Sequence, residues 1–114
     1  MNKHHAINYI EFPATDLPAI KEFYGKAFGW TFTDYGPEYV AFSDGVLDGG
    51  FTKGSAIQEG GPLVILYSEN LETSVETVTA CGATIIKHIY SFPGGRRFHF
   101  LDPAGNHLSI WSDR

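Results

Sequence analysis

Two amphipathic stretches divide the chain into similar halves. Residues 16–29 and residues 70–82 each begin with Asp or Asn followed by Leu, and each ends at Gly. Asp16 and Asn70 suit the N-cap position, because their side-chain oxygens can accept hydrogen bonds from the free backbone N–H groups of a first turn. Apolar residues recur in both stretches at helical spacing, which predicts two amphipathic helices. The final glycines predict left-handed C-terminal caps.

One strand-like run precedes each predicted helix and three short runs follow it. Turns that contain Gly or Pro separate these runs. In the first half the runs are residues 5–12, 30–35, 38–43 and 46–52, and in the second half they are residues 62–68, 83–90, 96–101 and 106–112. The pattern therefore predicts an α+β chain in which a βαβββ unit occurs twice.

The repeat also predicts the organisation of the chain. We expect one domain over residues 1–114, with a first βαβββ module at 1–53, a second at 62–114 and a connector at 54–61. The connector is polar and rich in Gly, as is typical of a flexible linker. Neither half could easily bury its sheet face alone, so we expect the halves to associate in one chain or across two.

Composition narrows the function classes. The net charge of −5, with no Lys/Arg cluster beyond Arg96 and Arg97, argues against nucleic acid as a partner. No apolar run approaches the roughly 18 residues of a membrane span, and the first residues lack a signal-peptide pattern. We therefore predict a cytoplasmic protein without a membrane partner. The single Cys81 excludes an internal disulfide and a zinc site built from cysteines.

Three segments carry a resemblance to a known family. They are INYIEFPATDL at residues 7–17, FY-x3-FGW at residues 23–30 and FLDPAGNHLSIW at residues 100–111. Together with the repeat they resemble the glyoxalase / bleomycin-resistance / extradiol-dioxygenase group, the vicinal oxygen chelate superfamily. The resemblance implies that each module curls a mixed sheet around a cup, with its helix packed outside. That superfamily includes isomerases, lyases, dioxygenases and non-catalytic drug binders, so the fold alone does not define the activity.

The resemblance also implies where metal-dependent relatives place four ligands, two in each module. The matching positions here are Tyr9 on the first strand, Gly49 or Gly50 on the fourth with Asp48 beside them, Leu63 on the fifth and Ser109 on the eighth. None of the four positions holds His or a carboxylate. Leu cannot coordinate a metal, and neutral Ser or Tyr are poor ligands for these ions. We therefore predict no metal and no other cofactor.

Several other side chains are candidates for a binding site. Glu11 shares its face with Tyr9 and is the carboxylate expected inside the cup, and His107 shares its face with Ser109. The sequence does not determine on which side of the sheet His99 lies. It also leaves two interpretations of Glu11, His99 and His107: a cluster with metal-ligand chemistry, or hydrogen-bonded residues of a pocket or its rim. The predicted ligand-binding residues are Tyr9, Glu11, Phe51, Leu63, His99, His107 and Ser109, with Glu11 as the candidate catalytic residue.

Three functions fit this pattern. The first is a small-molecule-binding protein of the bleomycin-resistance type that lacks the usual metal ligands. The second is an enzyme of the lyase, isomerase or dioxygenase type, with a displaced metal site or with Glu11 as a general base. The third is a non-catalytic dimeric interaction module. The acidic net charge favours a cationic ligand and the aromatic residues favour a flat one, and open sheet edges favour a homodimer.

Overall fold

Each half of the chain folds as the repeated unit that the sequence predicts. The computed structural model describes His4, residues 7–54 and residues 62–114. The first half contains β1 (Tyr9–Ala14), α1 (Leu17–Phe28), β2 (Thr31–Asp34), β3 (Tyr39–Ser43) and β4 (Asp48–Lys53). The second half contains β5 (Val64–Tyr67), α2 (Leu71–Ala80), β6 (Thr84–Phe92), β7 (Gly95–Leu101) and β8 (His107–Ser112). The predicted α+β class with two βαβββ modules is confirmed.

The chain divides into two compact units, Met1–Ile57 and Gln58–Arg114, here called the first and second modules. Apart from Gly54, the predicted connector lies outside the described residues. In the ranges that the structure describes, no helix is long and apolar enough to cross a membrane.

The two modules share one sheet topology. The strand order is β1-β4-β3-β2 in the first sheet and β5-β8-β7-β6 in the second. The first and last strands of each module pair in parallel, whereas the other pairs are antiparallel. Residues of β1 therefore lie beside residues of β4 at one edge of the first sheet, and residues of β5 lie beside residues of β8 at one edge of the second.

The helix ends follow the predicted capping chemistry. Asp16 and Asn70 are both N-caps, and each side chain accepts a hydrogen bond of 3.1 Å from the backbone N–H three residues later. Gly29 caps α1 in the left-handed conformation, with φ of 74°. In α2 the C-cap residue is Cys81, and the left-handed residue is the next one, Gly82, with φ of 106°. The second left-handed glycine thus lies one position beyond the cap.

An aromatic layer joins α1 to one face of the first sheet. Phe12, Phe42 and Phe51 lie on this face and are buried. The ring of Trp30 stacks on Phe42 at 4.6 Å and on Tyr24 of α1 at 4.5 Å between centroids. Burying each ring of this size contributes about 2 kcal/mol. Because strand residues alternate between faces, the residues next to these rings in sequence point away from α1.

The second sheet is built in the same way. Arg96 of β7 pairs with Glu72 of α2, which shows the side of the sheet on which α2 lies. The strand residues that alternate onto this side are apolar and buried: Phe98, Phe100, Leu108 and Ile110. The residues between them point to the opposite face.

The close approach of β1 to β4 generates the first prediction. A Cβ atom at Gly49 would lie 2.2 Å from the carbonyl oxygen of Ile10 and 2.4 Å from the ring of Phe42. A backbone oxygen cannot move aside cheaply, so we expect Gly49→Ala to lower the free energy of unfolding by about 3 kcal/mol. Gly54 is the matched control, because no atom of the described residues lies within 4 Å of its Cβ position. Urea denaturation should show a change within about 0.5 kcal/mol for Gly54→Ala, and equal losses in both variants would contradict the packing described.

Candidate functional site

The face of the first sheet that points away from α1 carries polar side chains. Tyr9 and Glu11 alternate with the buried Phe12 on β1, and the backbone of Glu11 pairs with Gly50 of β4. Tyr39 lies on the same face, because it alternates with the buried Val40 and Phe42 on β3. The parallel pairing of β1 with β4 therefore brings two predicted site positions, Tyr9 and Gly50, onto one face.

Tyr9, Tyr39 and Glu11 form a hydrogen-bonded group, here called the tyrosine cluster. The Oη atoms of Tyr9 and Tyr39 are 2.5 Å apart, and Tyr39 Oη donates to Glu11 Oε2 at 3.1 Å. A phenol has one proton to donate. Because the Tyr39 hydroxyl uses its hydrogen to donate to Glu11, the hydroxyl of Tyr9 must be the donor in its hydrogen bond with Tyr39. Both hydroxyl groups thus point their protons toward the Glu11 carboxylate.

The tyrosine cluster occupies the space in front of Gly50. A Cβ atom at Gly50 would lie 2.1 Å from Tyr39 Oη and 2.7 Å from Tyr9 Oη. Gly49, in contrast, would direct its Cβ toward the Phe42 ring on the α1 side. Of the two glycines, Gly50 is therefore the one that shares a face with Tyr9. The volume that a fourth-strand side chain would need there is filled by two hydroxyl groups.

The environment of Tyr39 keeps its hydroxyl protonated. Burial raises the pKa of Tyr39 well above its usual range, and the hydrogen bonds to Tyr9 and Glu11 raise this pKa further. An ionised phenolate next to a carboxylate would be electrostatically unfavourable. Tyr39 consequently acts as a stable hydrogen-bond donor at neutral pH.

The donor groups of the first module do not fit the metal site that the resemblance implies. On β4, the position that pairs with Glu11 is Gly50, and the tyrosine cluster fills the space in front of it. Asp48 is paired with Tyr9 across the strands, so with Glu11 this face carries two carboxylates and no histidine, fewer than the four ligands that the resemblance implies. Among the described residues, no three His, Cys, Asp or Glu side chains are grouped so as to hold a metal.

The positions in the second module do not fit a metal either. Ser109 is fully buried, and its Oγ donates to the backbone oxygen of Phe98 at 2.8 Å. Leu63 lies just before β5 and has no donor atom in its side chain. A hydroxyl group that is already committed to a backbone carbonyl offers little to a cation.

The register of β7 and β8 places His99 on the face away from α2. His99 pairs with Ser109, and the next pair on that face is Leu101 with His107. The flanking residues Phe98 and Phe100 point to the other side and are buried. His99, His107 and Ser109 therefore share one face of the second sheet.

A continuous hydrogen-bond chain crosses this face, here called the histidine chain. Arg97 Nε donates to Tyr90 Oη, and Tyr90 Oη lies 2.9 Å from His99 Nε2. His99 Nδ1 lies in turn 2.8 Å from Nε2 of His107. Because the Arg97 guanidinium can only donate, the Tyr90 hydroxyl is available to donate a hydrogen bond to His99 Nε2. His99 Nδ1–H then donates to His107 Nε2. The chain links a guanidinium to an exposed imidazole.

His99 is held in its neutral form. Burial lowers the pKa of His99, and the nearby charges of His107, Arg97 and Lys87 lower it further. His99 is only 8% exposed, so water cannot solvate a positive charge on it well. The neutral imidazole can accept a proton at one nitrogen and donate one at the other.

The structure brings some of the predicted residues together and separates others. Tyr9 and Glu11 are in one cluster, and His99 contacts His107. Phe51 does not belong to the face of Tyr9. It is fully buried and pairs with Phe12 on the α1 side, where their rings stack at 5.2 Å.

Residues on both faces were not predicted from the sequence. Tyr39 could have been found from strict alternation in the run EYVAFS, in which Val40 and Phe42 are apolar. Tyr90 could not, because a register shift between Lys87 and Tyr90 breaks the alternation of β6. Arg97 was noted only as part of a basic pair.

The family comparison is consistent with the fold. A model described as Glyoxalase/Bleomycin resistance protein/Dioxygenase superfamily matches residues 6–110. A glyoxalase/bleomycin resistance protein/dioxygenase family enzyme from Burkholderia phytofirmans PsJN has 21% identity and a TM-score of 0.83, over 94% of this chain and 98% of that one. A search of curated proteins found no match.

Two further solved structures have a similar fold. One is a mutant of the fosfomycin resistance protein FosX from Listeria monocytogenes, complexed with Mn(II) and 1S,2S-dihydroxypropylphosphonic acid. It has 19% identity and a TM-score of 0.79, over 96% of this chain and 90% of that one. The other is lactoylglutathione lyase from Agrobacterium tumefaciens, with 19% identity and a TM-score of 0.74, over 97% and 96%. At these identities the likeness shows the fold alone.

The tight packing over Gly50 generates a double-mutant prediction. We expect Gly50→Ala to lower the free energy of unfolding by about 2 kcal/mol, because the new methyl group must displace Tyr39 Oη. In a Tyr39→Ala background the loss should shrink by about 1 kcal/mol, since the two sites are in contact. Tyr35 is 65% exposed and serves as the control. Urea denaturation should give additive losses for Gly50→Ala with Tyr35→Ala, and additive losses with Tyr39→Ala would contradict the contact.

The neutral state of His99 generates a prediction about pH. The pKa of His99 is lowered in the folded state, so in the pH range just below about 6.5, the ordinary pKa of histidine, the unfolded chain binds more protons than the folded one. The free energy of unfolding should therefore fall as the pH falls through this window. His99→Gln should flatten that slope, whereas His88→Gln at an exposed position should not. An unchanged slope in His99→Gln would show that His99 is not held neutral.

Proposed function

The chain belongs to the Glyoxalase/Bleomycin resistance protein/Dioxygenase superfamily, and from that premise we propose that it binds a small organic molecule without a divalent metal. In this proposal the tyrosine cluster supplies the polar contacts in the first module. The role that a metal has in metal-dependent relatives, which is to orient ligand oxygens, passes to hydroxyl and carboxylate groups of the chain itself.

The filling of the space at Gly50 is the observation that carries this proposal. A carboxylate at the position of Gly50, with a metal beside it, would need the volume that Tyr9 Oη and Tyr39 Oη now occupy. The two phenols are ordered by hydrogen bonds and not by chance packing, because each proton has a defined acceptor. Ordered donors and acceptors on an otherwise open sheet face are typical of the few polar groups that orient a bound molecule.

The charge of the tyrosine cluster favours one kind of ligand group. Glu11 is exposed and accepts one hydrogen bond, from Tyr39. A carboxylate has about four lone-pair positions, so Glu11 can accept more. A ligand group that donates hydrogen bonds, such as an amine or a hydroxyl, fits this surface best. This agrees with the expectation of a cationic ligand from the net charge.

Catalysis is the second candidate function. Its support is the histidine chain, in which Nδ1 of the neutral His99 forms a 2.8 Å hydrogen bond with Nε2 of the exposed His107. Such a pair can take a proton from a bound molecule and release it to solvent, which is the task of a general base. Glu11 is the corresponding candidate base in the first module, where its carboxylate is exposed and accepts a hydrogen bond from Tyr39.

A ligand screen on the chelator-treated chain tests the proposal. Ligand-observed NMR with a library of small amines and alcohols, aromatic amines among them, should find binders in the absence of any divalent metal. Tyr39→Phe keeps the ring but removes the hydroxyl together with its hydrogen bonds to Tyr9 and Glu11, so it should weaken such binders by about tenfold. Tyr35→Phe is the matched control and should leave the affinity unchanged. Binding that needs added Mn(II), Zn(II), Ni(II) or Fe(II) would contradict the metal-free proposal, whereas product signals that grow with time would favour the enzyme.

A further inference from the structure

We propose that the face of the second sheet opposite α2 binds an aromatic carboxylate, with Arg97 and Lys87 holding the anionic group. This site goes beyond the proposed function, because it uses no residue of the tyrosine cluster and takes a ligand group of opposite charge. Four features of the second module support this site. Two cations have no carboxylate partner among the described residues, an aromatic ring holds both of them, Arg97 has terminal nitrogens available, and further aromatic rings lie beside it.

Most of the described Lys and Arg side chains form an ion pair with a carboxylate, and those that do not are candidates for binding an anion. Seven of the eight Lys and Arg residues lie in the described part of the chain. Those with a carboxylate partner are Lys21, Lys26, Arg96 and Arg114. Within the described residues, Lys53, Lys87 and Arg97 have no such partner. Two of these three share one sheet face in a protein with a net charge of −5, which is a local reversal of its overall charge.

A register shift in β6 brings the two cations together. Lys87 pairs with His99 and Tyr90 pairs with Arg97. Lys87 and Tyr90 are three residues apart, so a regular strand would place them on opposite faces, whereas His99 and Arg97 are two apart and share a face. The shift adds one residue to β6 as a bulge does, and both Lys87 and Tyr90 then point away from α2.

The ring of Tyr90 holds both cations without neutralising them. Lys87 Nζ lies 4.2 Å from the centroid of this ring, and the guanidinium carbon of Arg97 lies 5.6 Å from it. A cation over an aromatic ring is attracted by the ring quadrupole but keeps its full charge. The surface is therefore positive and ordered before any ligand arrives. The same charges help to lower the pKa of His99, after the larger effect of burial.

Arg97 is oriented with its terminal nitrogens available. Its Nε donates to Tyr90 Oη, and no hydrogen bond from its two Nη atoms is found among the described residues. The planar guanidinium presents parallel N–H groups that match the two oxygens of a carboxylate. A side chain that is already fixed loses little rotamer entropy when it binds.

Aromatic rings continue the surface beyond Arg97. The ring of Phe92 lies 5.6 Å from the guanidinium carbon, and the Phe92 and Trp111 centroids are 6.4 Å apart. Asp113, which follows Trp111 by two residues, accepts a hydrogen bond of 2.7 Å from Tyr67 and pairs with Arg114 at 3.6 Å. A ligand with a flat apolar body and one carboxylate would place each part against a matching surface.

A comparison of two ligands on the unmodified full-length chain tests the proposal first. We expect 2-naphthoate to bind in an isothermal titration or NMR titration, and the neutral isostere 2-naphthamide to bind at least about tenfold more weakly, since it lacks the charge that Arg97 and Lys87 recognise. Inorganic phosphate should compete only weakly, because it lacks the aromatic body. Equal affinity for the acid and the amide, tighter binding of phosphate, or no binding of the acid below about 10 mM would each overturn the proposal.

Variants of the two neighbouring arginines then locate the site. Arg97→Gln should lower the affinity for 2-naphthoate about tenfold. Arg97→Lys keeps the positive charge but not the planar guanidinium, so its affinity should lie between those of Arg97→Gln and the wild type. Arg96→Gln is the matched control on the opposite face, where Arg96 pairs with Glu72, and it should leave the affinity unchanged. Tyr39→Phe should also leave it unchanged, which separates this site from the proposed function. An equal loss for Arg96→Gln and Arg97→Gln would overturn the assignment to this face.

Discussion

Two consecutive glycines in the middle of β4 are the constraint on which the first module depends. At Gly49 the missing side chain lets the carbonyl of Ile10 and the ring of Phe42 approach the strand. At Gly50, on the other face, it makes room for the hydroxyls of Tyr9 and Tyr39. One pair of residues therefore permits both the aromatic packing against α1 and the polar cluster on the open face. The same absence of a side chain removes the fourth-strand metal ligand that the family resemblance implies.

The two modules use one topology to present different chemistry. In both, strand alternation buries apolar residues against the helix and directs the remaining residues to the opposite face. In the first module that face is weakly acidic, with phenols arranged around Glu11. In the second it is basic, with Arg97 and Lys87 beside a pair of imidazoles. A repeated fold thus carries a hydrogen-bond acceptor surface in one half and an anion-attracting surface in the other, and the two need not recognise the same group.

Local signals made the fold predictable from the sequence. Asp16 and Asn70 define the helix starts by an interaction that spans three residues, so no knowledge of the tertiary structure is required. The left-handed Gly29 is equally local. The site was less predictable, because a face depends on which strands pair and in which register. Phe51 was expected near Tyr9, yet its partner in the parallel pair is Phe12, and this places it on the α1 side.

Irregularities limit prediction further in the second module. The sequence did not determine on which face of the sheet His99 lies. The pairing of His99 with Ser109 places it on the face opposite α2. Tyr90 and Lys87 share a face because of a register shift, which no alternation pattern contains. The histidine chain is therefore a product of tertiary structure. Its members come from three strands, and their order along the chain gives no sign of the contact.

The central claim is that hydroxyl groups have taken the place of a metal ligand in the first module. Measuring the metal content of the purified chain tests this claim most directly, after incubation with Mn(II), Fe(II), Ni(II) and Zn(II) and removal of free ions. The account predicts far less than one bound ion per chain, and no difference between the wild type and Glu11→Gln. One tightly held ion per chain, lost in Glu11→Gln, would contradict it.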